Sequence, residues 1–404
     1  MKTILRLSIV ALVCVGVPIA QAGVFTIDTD VSGNRASASF SSVEDTFNSL
    51  NTAQLRAINS AYTGVQAATI AIGYRGLPMI ATYPTAGSSL LVFSVPALGI
   101  SQSFSGATRD ESQRLLGDYF KNNVGDILSR LSKELAKSSP VDPIAGNPNS
   151  LMSQLVMQDF NNSFTSFATN IKAGGGGQSS NLIGIGFGMG NYRQAGITSR
   201  SYTIPLSYTF RNDLDPRQQI AFNVPITLVD TEGSKSYYVG LGGSYRFPVN
   251  DNWALTPAAN LALAGSADLG ALASVASASL TSSYYIPMES FDLAIGNMVG
   301  YYTTLKVASG GYSYDPGISN TVLRNGIMLS HPVTVGGRKM SLEYSFSDTR
   351  FFGDALFVDQ FNEVGVSLGT NKRAASSRSY FKSGVSYLHS PQSKGFSFNL
   401  GYWF

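Results

Sequence analysis

Between Asn181 and Phe404 one pattern recurs about every nineteen residues: apolar side chains at alternate positions for roughly ten residues, then a short polar break. Tyr202, Ile204, Leu206, Tyr208 and Phe210 make one such face, and Ile220, Phe222, Val224, Ile226 and Leu228 the next. The last is Phe396, Phe398, Leu400, Tyr402 and Phe404, alternating with Gly395, Ser397, Asn399 and Gly401. A strand places alternate residues on opposite sides, so each segment carries one apolar and one small polar face. A soluble sandwich would turn the apolar face inward. A membrane barrel turns it toward lipid and marks the borders with aromatics. Aromatics close nearly every apolar face here, which favours the barrel. The expected fold is an all-β transmembrane antiparallel barrel of about twelve strands over residues 181–404. An even count puts both barrel ends on the periplasmic side. Residues 211–216, 249–252, 287–290 and 335–338 are then periplasmic turns, and 306–320 and 347–358 the longer outer loops.

Composition agrees. Only 13% of residues are charged, against about a quarter in ordinary soluble domains. The first 22 residues join a basic start, a short apolar run and Ala20-Gln21-Ala22, the pattern of a secretory signal peptide cleaved before Gly23. Cys14, the chain's single cysteine, lies in that run, so the mature chain would have no disulfide and no cysteine metal site. Export without disulfides fits a bacterial envelope, and the expected location is the bacterial outer membrane. A net charge of +3 implies no nucleic-acid partner.

Residues 23–149 read as a small α+β domain. Segments 25–28 and 36–40 flank Ser32-Gly33-Asn34 as a hairpin. A helix is expected over 42–62, strands over 66–74, 79–83 and 90–95, and a helix over 108–137 opened by the capping box Thr108 to Glu111. Pro96 reads as the stop of the third strand. Residues 141–148 read as an extended proline-rich connector. A last amphipathic helix over 150–171 carries Val156, Phe160, Phe164, Phe167 and Ile171 on one stripe, and a linker, Gly174 to Gly177, follows within the segment 150–180. The stripe could pack on the preceding helix, or the helix could thread the barrel.

The order helix, barrel and terminal Phe resembles the translocator domain of autotransporters over residues 150–404. The small size of the preceding region brings the chain closer to solitary autotransporter-like barrels. The resemblance implies that Phe396, Phe398, Leu400, Tyr402 and Phe404 form the barrel assembly signal read by the barrel assembly machinery. It implies a monomer in outer-membrane lipid that anchors or displays a short N-terminal domain. It also makes Asn161-Asn162 a weak candidate for self-cleavage. A passive, porin-like channel is the alternative, and an envelope enzyme a more remote one.

Several lumen positions stand out. Gly184, Gly186, Gly188 and Gly190 fall on the lumen face of the first barrel strand, as strand curvature or as a berth for the helix. Arg246, Arg324, Glu343, Glu363 and Lys382 also face inward, to pair across the lumen or to line a selective pore. No enzyme is expected. The two histidines, His331 and His389, have no nucleophile suitably placed: Ser330 and His331 are strand neighbours and point opposite ways. No metal cluster or phosphate loop is legible, and no cofactor is expected.

Overall fold

The protein is described from a computed structural model, over residues 23–165, 181–309, 312–370 and 380–404. The expected signal peptide, Phe167, Ile171 and the glycine linker lie outside the described residues.

The N-terminal unit is a six-stranded antiparallel sheet. In chain order its strands are β1 (Phe25–Val31), β2 (Asn34–Phe40), β3 (Ala68–Tyr74), β4 (Leu77–Tyr83), β5 (Leu91–Val95) and β6 (Ile100–Phe104), and in space β2-β1-β3-β4-β5-β6. One face carries Phe25, Ile27, Ile70, Ile72, Met79, Phe93 and Val95, all buried. Burying each such side chain contributes about 1.5–3 kcal/mol. The strand β6 was not expected. Pro96 does not end the sheet; it opens one 3-10 turn, Pro96–Leu98, and Gly99 at φ 62° reverses the chain onto β5.

The expected helix over 42–62 is two short ones, α1 (Val43–Asn48) and α2 (Thr52–Ile58). Asn51 leaves helical geometry to cap α2, its side chain accepting from the Gln54 N–H. The expected 108–137 helix is broken at Asn123 into α3 (Arg109–Asn122) and α4 (Val124–Ser138). Half of the expected box forms: the Thr108 hydroxyl accepts from Glu111 N–H, while the Glu111 carboxylate reaches one residue further back, accepting from Ala107 N–H.

The second unit is a closed barrel of twelve antiparallel strands. They are β7 (Leu182–Gln194), β8 (Ile197–Arg211), β9 (Gln219–Thr231), β10 (Ser234–Pro248), β11 (Trp253–Ser266), β12 (Ala271–Pro287), β13 (Asp292–Leu305), β16 (Ser319–Val335), β17 (Arg338–Gly353), β18 (Gln360–Thr370), β19 (Tyr380–His389) and β20 (Ser393–Trp403). A small hairpin, β14 (Val307–Ser309) with β15 (Tyr312–Tyr314), stands in the loop after β13. The seam closes between β20 and β7, and the last residue completes it: Ile183 N–H donates to Phe404 O at 2.9 Å and Phe404 N–H to Ile183 O at 3.0 Å.

The apolar faces point outward. Ile183, Ile185, Phe187, Met189, Ile204, Phe222, Leu241, Val299, Ile327 and Val364 are all exposed on the barrel's outside. A closed barrel wrapped in such a belt has its apolar surface matched by lipid. Both barrel termini lie at one end. The other end carries the longest connection, the one after β13, and on it sits the N-terminal unit.

Candidate functional site: a helix seated in the barrel lumen

The chain between the two units is not the extended connector expected for residues 141–148. Every residue from 139 to 150 is buried. Asp142 organises the segment. One carboxylate oxygen accepts from the Ile144 and Ala145 N–H groups, both at 3.1 Å, and the other meets Arg75 Nη1 at 3.2 Å. The Arg75 and Asp142 side chains are only 2% and 0% exposed, so each is the charge partner that makes burial of the other tolerable. Gly146 takes φ 91°, and an added Cβ would lie 2.0 Å from Ala136 O. The loop after β17 pairs onto this segment, Phe357 N–H donating to Ala136 O and Val358 N–H to Gly146 O.

Further contacts fix the N-terminal unit to the barrel's loops. Val43 N–H donates to Asp268 O at 2.8 Å, and Ser234 Oγ to Ser41 O at 2.6 Å. Ile197, the first residue of β8, and Leu269, in the β11–β12 turn, belong to the buried apolar cluster of the N-terminal sheet. Lys133 on α4 meets Asp354 at 2.7 Å. Partial burial alone would raise the Asp354 carboxyl, but hydrogen bonds from Lys133 and Ser319, with the lysine charge, hold it below its ordinary value.

From this seat helix α5 (Leu151–Phe160) enters the lumen, continued by a wider turn, Asn161–Thr165. It leans on β11, β12 and β13. Leu155, Val156, Phe160 and Phe164 share a buried cluster with Ala262, Ala264, Ala273, Val275, Ala294, Met298 and Met328 of the wall. Two wall glycines make the seat. A Cβ on Gly326 would stand 2.7 Å from the Phe160 ring, and one on Gly296 would stand 2.6 Å from the Phe164 ring. Those distances exclude any side chain there while the rings remain. Asp159 supplies the polar lock. It accepts from Tyr302 Oη at 2.7 Å, Asn260 Nδ2 at 2.7 Å and Ser279 Oγ at 3.2 Å. Lower down, Ser283 Oγ donates to Ser163 O at 3.3 Å. The helix therefore does not pair with the preceding helix, one of the two arrangements open from its stripe.

The glycine berth is on a different strand from the expected one. The described helix lies against β11–β13, whereas Gly184, Gly186, Gly188 and Gly190 on β7 make room for barrel neighbours. A Cβ on Gly184 would meet Trp403 at 2.6 Å, one on Gly186 Leu400 O at 2.7 Å, and one on Gly190 Tyr192 at 2.5 Å. Around them the described residues leave a cavity of about 410 Å³. Gln154, Gln158, Asn161 and Asn162 face it from the helix side, and Asn223, Ser386 and Asn399 from the wall.

The lumen charges pair, but by reaching over a strand. Arg324 on β16 holds Glu363 on β18, and also donates to Thr349. Lys382 on β19 holds Glu343 on β17 at 2.7 Å. The Arg324 guanidinium also lies 5.1 Å from the centre of the Phe160 ring, so the ion pair and the helix seat share a residue. Arg246 is on β10 and also faces the cavity. Asp159, Tyr302, Asn260, Gly296 and Gly326 were not singled out from the sequence. One signal for the seat existed: Ala273 and Val275 are apolar on a lumen face of β12 that continues as Ser277, Ser279 and Thr281.

No protein-family model matches the chain, and no curated protein matches it. Among solved structures it is similar to the β domain of the Bordetella autotransporter BrkA, at 14% identity and TM-score 0.43, over 55% of this chain and 98% of that one. It is similar to the translocator domain of the autotransporter NalP from Neisseria meningitidis, at 12% identity and TM-score 0.41, over 56% and 89%. It is also similar to the KdgM porin, at 10% identity and TM-score 0.32, over 55% and 98%. Likenesses this distant add no weight to the functional reading, which rests on the geometry. The chain forms a closed twelve-stranded transmembrane barrel of the outer-membrane type, the architecture that the resemblance to autotransporter translocators implies.

Proposed function

We propose that this protein is an outer-membrane anchor that holds its own small N-terminal domain on the cell surface, with the helix α5 as the stem through the barrel. One observation carries the reading. The N-terminal sheet docks on the loop end, α5 descends into the lumen from that end, and β7 begins at the opposite end. Such barrels carry their long loops outside, and the longest connection here, after β13, is at the sheet's end, which supports a surface position for the sheet. The buried segment 139–150 ties domain, loops and helix together, so the domain is retained rather than released.

Membrane-impermeant thiol labelling of intact cells tests this. The mature chain has no cysteine after the expected cleavage, so Arg35→Cys in the β1–β2 hairpin and Leu214→Cys in the β8–β9 turn are clean probes; Leu214 is 96% exposed. Labelling of Arg35→Cys in intact cells, with Leu214→Cys labelled only after the outer membrane is opened, supports surface display. The reverse pattern sinks it. A passive channel is the second reading, favoured by the cavity beside α5. Steady single-channel conductance of the full chain, unchanged when α5 is cross-linked to the wall, would select it instead.

A further inference from the structure

At the loop end of the barrel, on its outward face, cations gather around the seam. Lys394 on β20 is the register partner of Arg193 on β7. Arg200 on β8 is two residues on from Thr198, the register partner of Arg193. Lys235 on β10 faces Asp230, which in turn faces Arg200. Lys394, Arg193, Arg200 and Lys235 are exposed. None of the four makes an ion pair among the described residues, and every Asp and Glu of the chain lies within the described residues. The two nearby carboxylates are engaged by backbone: Asp230 accepts from Gly233 N–H at 3.0 Å, and Glu232 from Thr198 N–H at 3.2 Å.

These cations point outward rather than into the loops. They share their face with Phe396, 65% exposed, and with Met189 and Tyr202, which begin the apolar belt. A lipid lying along that belt brings its headgroup under the cations. Charged side chains at the border of the belt cost little, since they reach into the headgroup layer, and a phosphate there is a strong acceptor for Lys and Arg. Lys394, Arg193 and Arg200 span three neighbouring strands, with Arg200 two residues off the level of the others, so the outer two stand about 12 Å apart along the sheet. Three cations over that span, none ion-paired among the described residues, can hold both phosphates of one headgroup at once, whereas a single phosphate leaves them partly unused.

We propose that Lys394, Arg193 and Arg200 form a docking surface for a lipid whose headgroup carries two phosphates, in the leaflet at the loop end, with its acyl chains along Phe396, Met189 and Tyr202. The proposal rests on the reading that this end of the barrel faces outward; lipid retention in detergent is read independently of where the N-terminal domain is displayed.

The test is native mass spectrometry of the detergent-solubilised full chain with bisphosphorylated lipid A, its monophosphorylated form and its dephosphorylated form. The expected order of retention is bisphosphorylated, then monophosphorylated, then dephosphorylated. Each of Lys394→Gln, Arg193→Gln and Arg200→Gln should cost about fivefold in affinity for the first lipid. The pair Arg338→Gln and Lys339→Gln, at the opposite rim, should cost nothing. Equal retention of the three lipids by the unaltered chain overturns the proposal without any variant, and so does full displacement by inorganic phosphate, which would mark a general anion site. Undiminished preference in the folded triple variant overturns it as well.

Discussion

The ring of Phe160 lies across Gly326, so close that a methyl group on the glycine would stand 2.7 Å from the ring. A residue of the N-terminal half thus fills a gap that the barrel strand leaves open, and the two can be exchanged only together. Gly326→Val should unseat the helix, costing about 1–3 kcal/mol, the usual range for overpacking. Phe160→Ala alone should cost about 3–5 kcal/mol. The combination Gly326→Val with Phe160→Ala should cost less than the two separate losses added together. Denaturant unfolding of the detergent-folded protein measures this, and strict additivity would show that the two do not share one space.

Asp159 binds three donors from three strands, β11, β12 and β13. Asp159→Ala strands the Tyr302 hydroxyl and should cost about 3 kcal/mol. Asp159→Asn keeps an acceptor and should cost less. Limited proteolysis reads the outcome directly, with cleavage near residues 161–165 rising in the alanine variant. Unchanged protection of that segment would remove Asp159 from the account.

The Lys133–Asp354 contact gives the docking of the N-terminal unit a pH dependence. The folded Asp354 carboxyl sits below its ordinary value, so its contribution is complete above the unfolded value and is lost as pH falls through the folded one. Docking should weaken as pH drops below about 4, by less than about 1 kcal/mol because Lys133 is largely exposed. Hydrogen exchange of the loop after β17 should rise over that interval. In Asp354→Asn the acid-induced increase should shrink, and an identical increase in wild type and variant would assign it to other groups.

Phe404 closes the seam through its backbone to Ile183, and its side chain stays exposed on the outer face. Removing it deletes two hydrogen bonds, each worth about 1 kcal/mol, from a ladder that continues along β20 and β7. The assembled barrel should therefore keep its heat-modifiable migration when folded into detergent. Yield of folded barrel in cells should fall, because the terminal strand is also the expected assembly signal. Equal cellular yields with and without Phe404 would separate the terminal residue from assembly.

The barrel was legible because lipid makes the same demand on every strand. Faces such as Phe222, Val224 and Ile226 declare themselves whatever fills the inside. The lumen was not legible in the same way. Gly296 and Gly326 look like any strand glycine until the rings of Phe164 and Phe160 are placed against them. Ala273 and Val275 were the trace of the seat, apolar on the lumen face of β12 where the helix lies. In the N-terminal unit, local signals misled where the long-range fold overrode them. Pro96 reads as a stop until β6 is seen to pair with β5, and residues 141–148 read as a linker until Arg75 is seen to bury Asp142.

The central claim is that α5 occupies the barrel of the assembled protein in the membrane. Ser163 and Ser283 lie within hydrogen-bonding distance across the helix–wall contact. Ser163→Cys with Ser283→Cys, treated in isolated outer membranes with a short thiol-specific cross-linker, should give a peptide joining the two positions by mass spectrometry. A control pairing Ser163→Cys with Leu214→Cys should give none. Efficient cross-linking of the first pair alone is the predicted result. Its absence in chains that show folded-barrel migration would contradict the threaded arrangement.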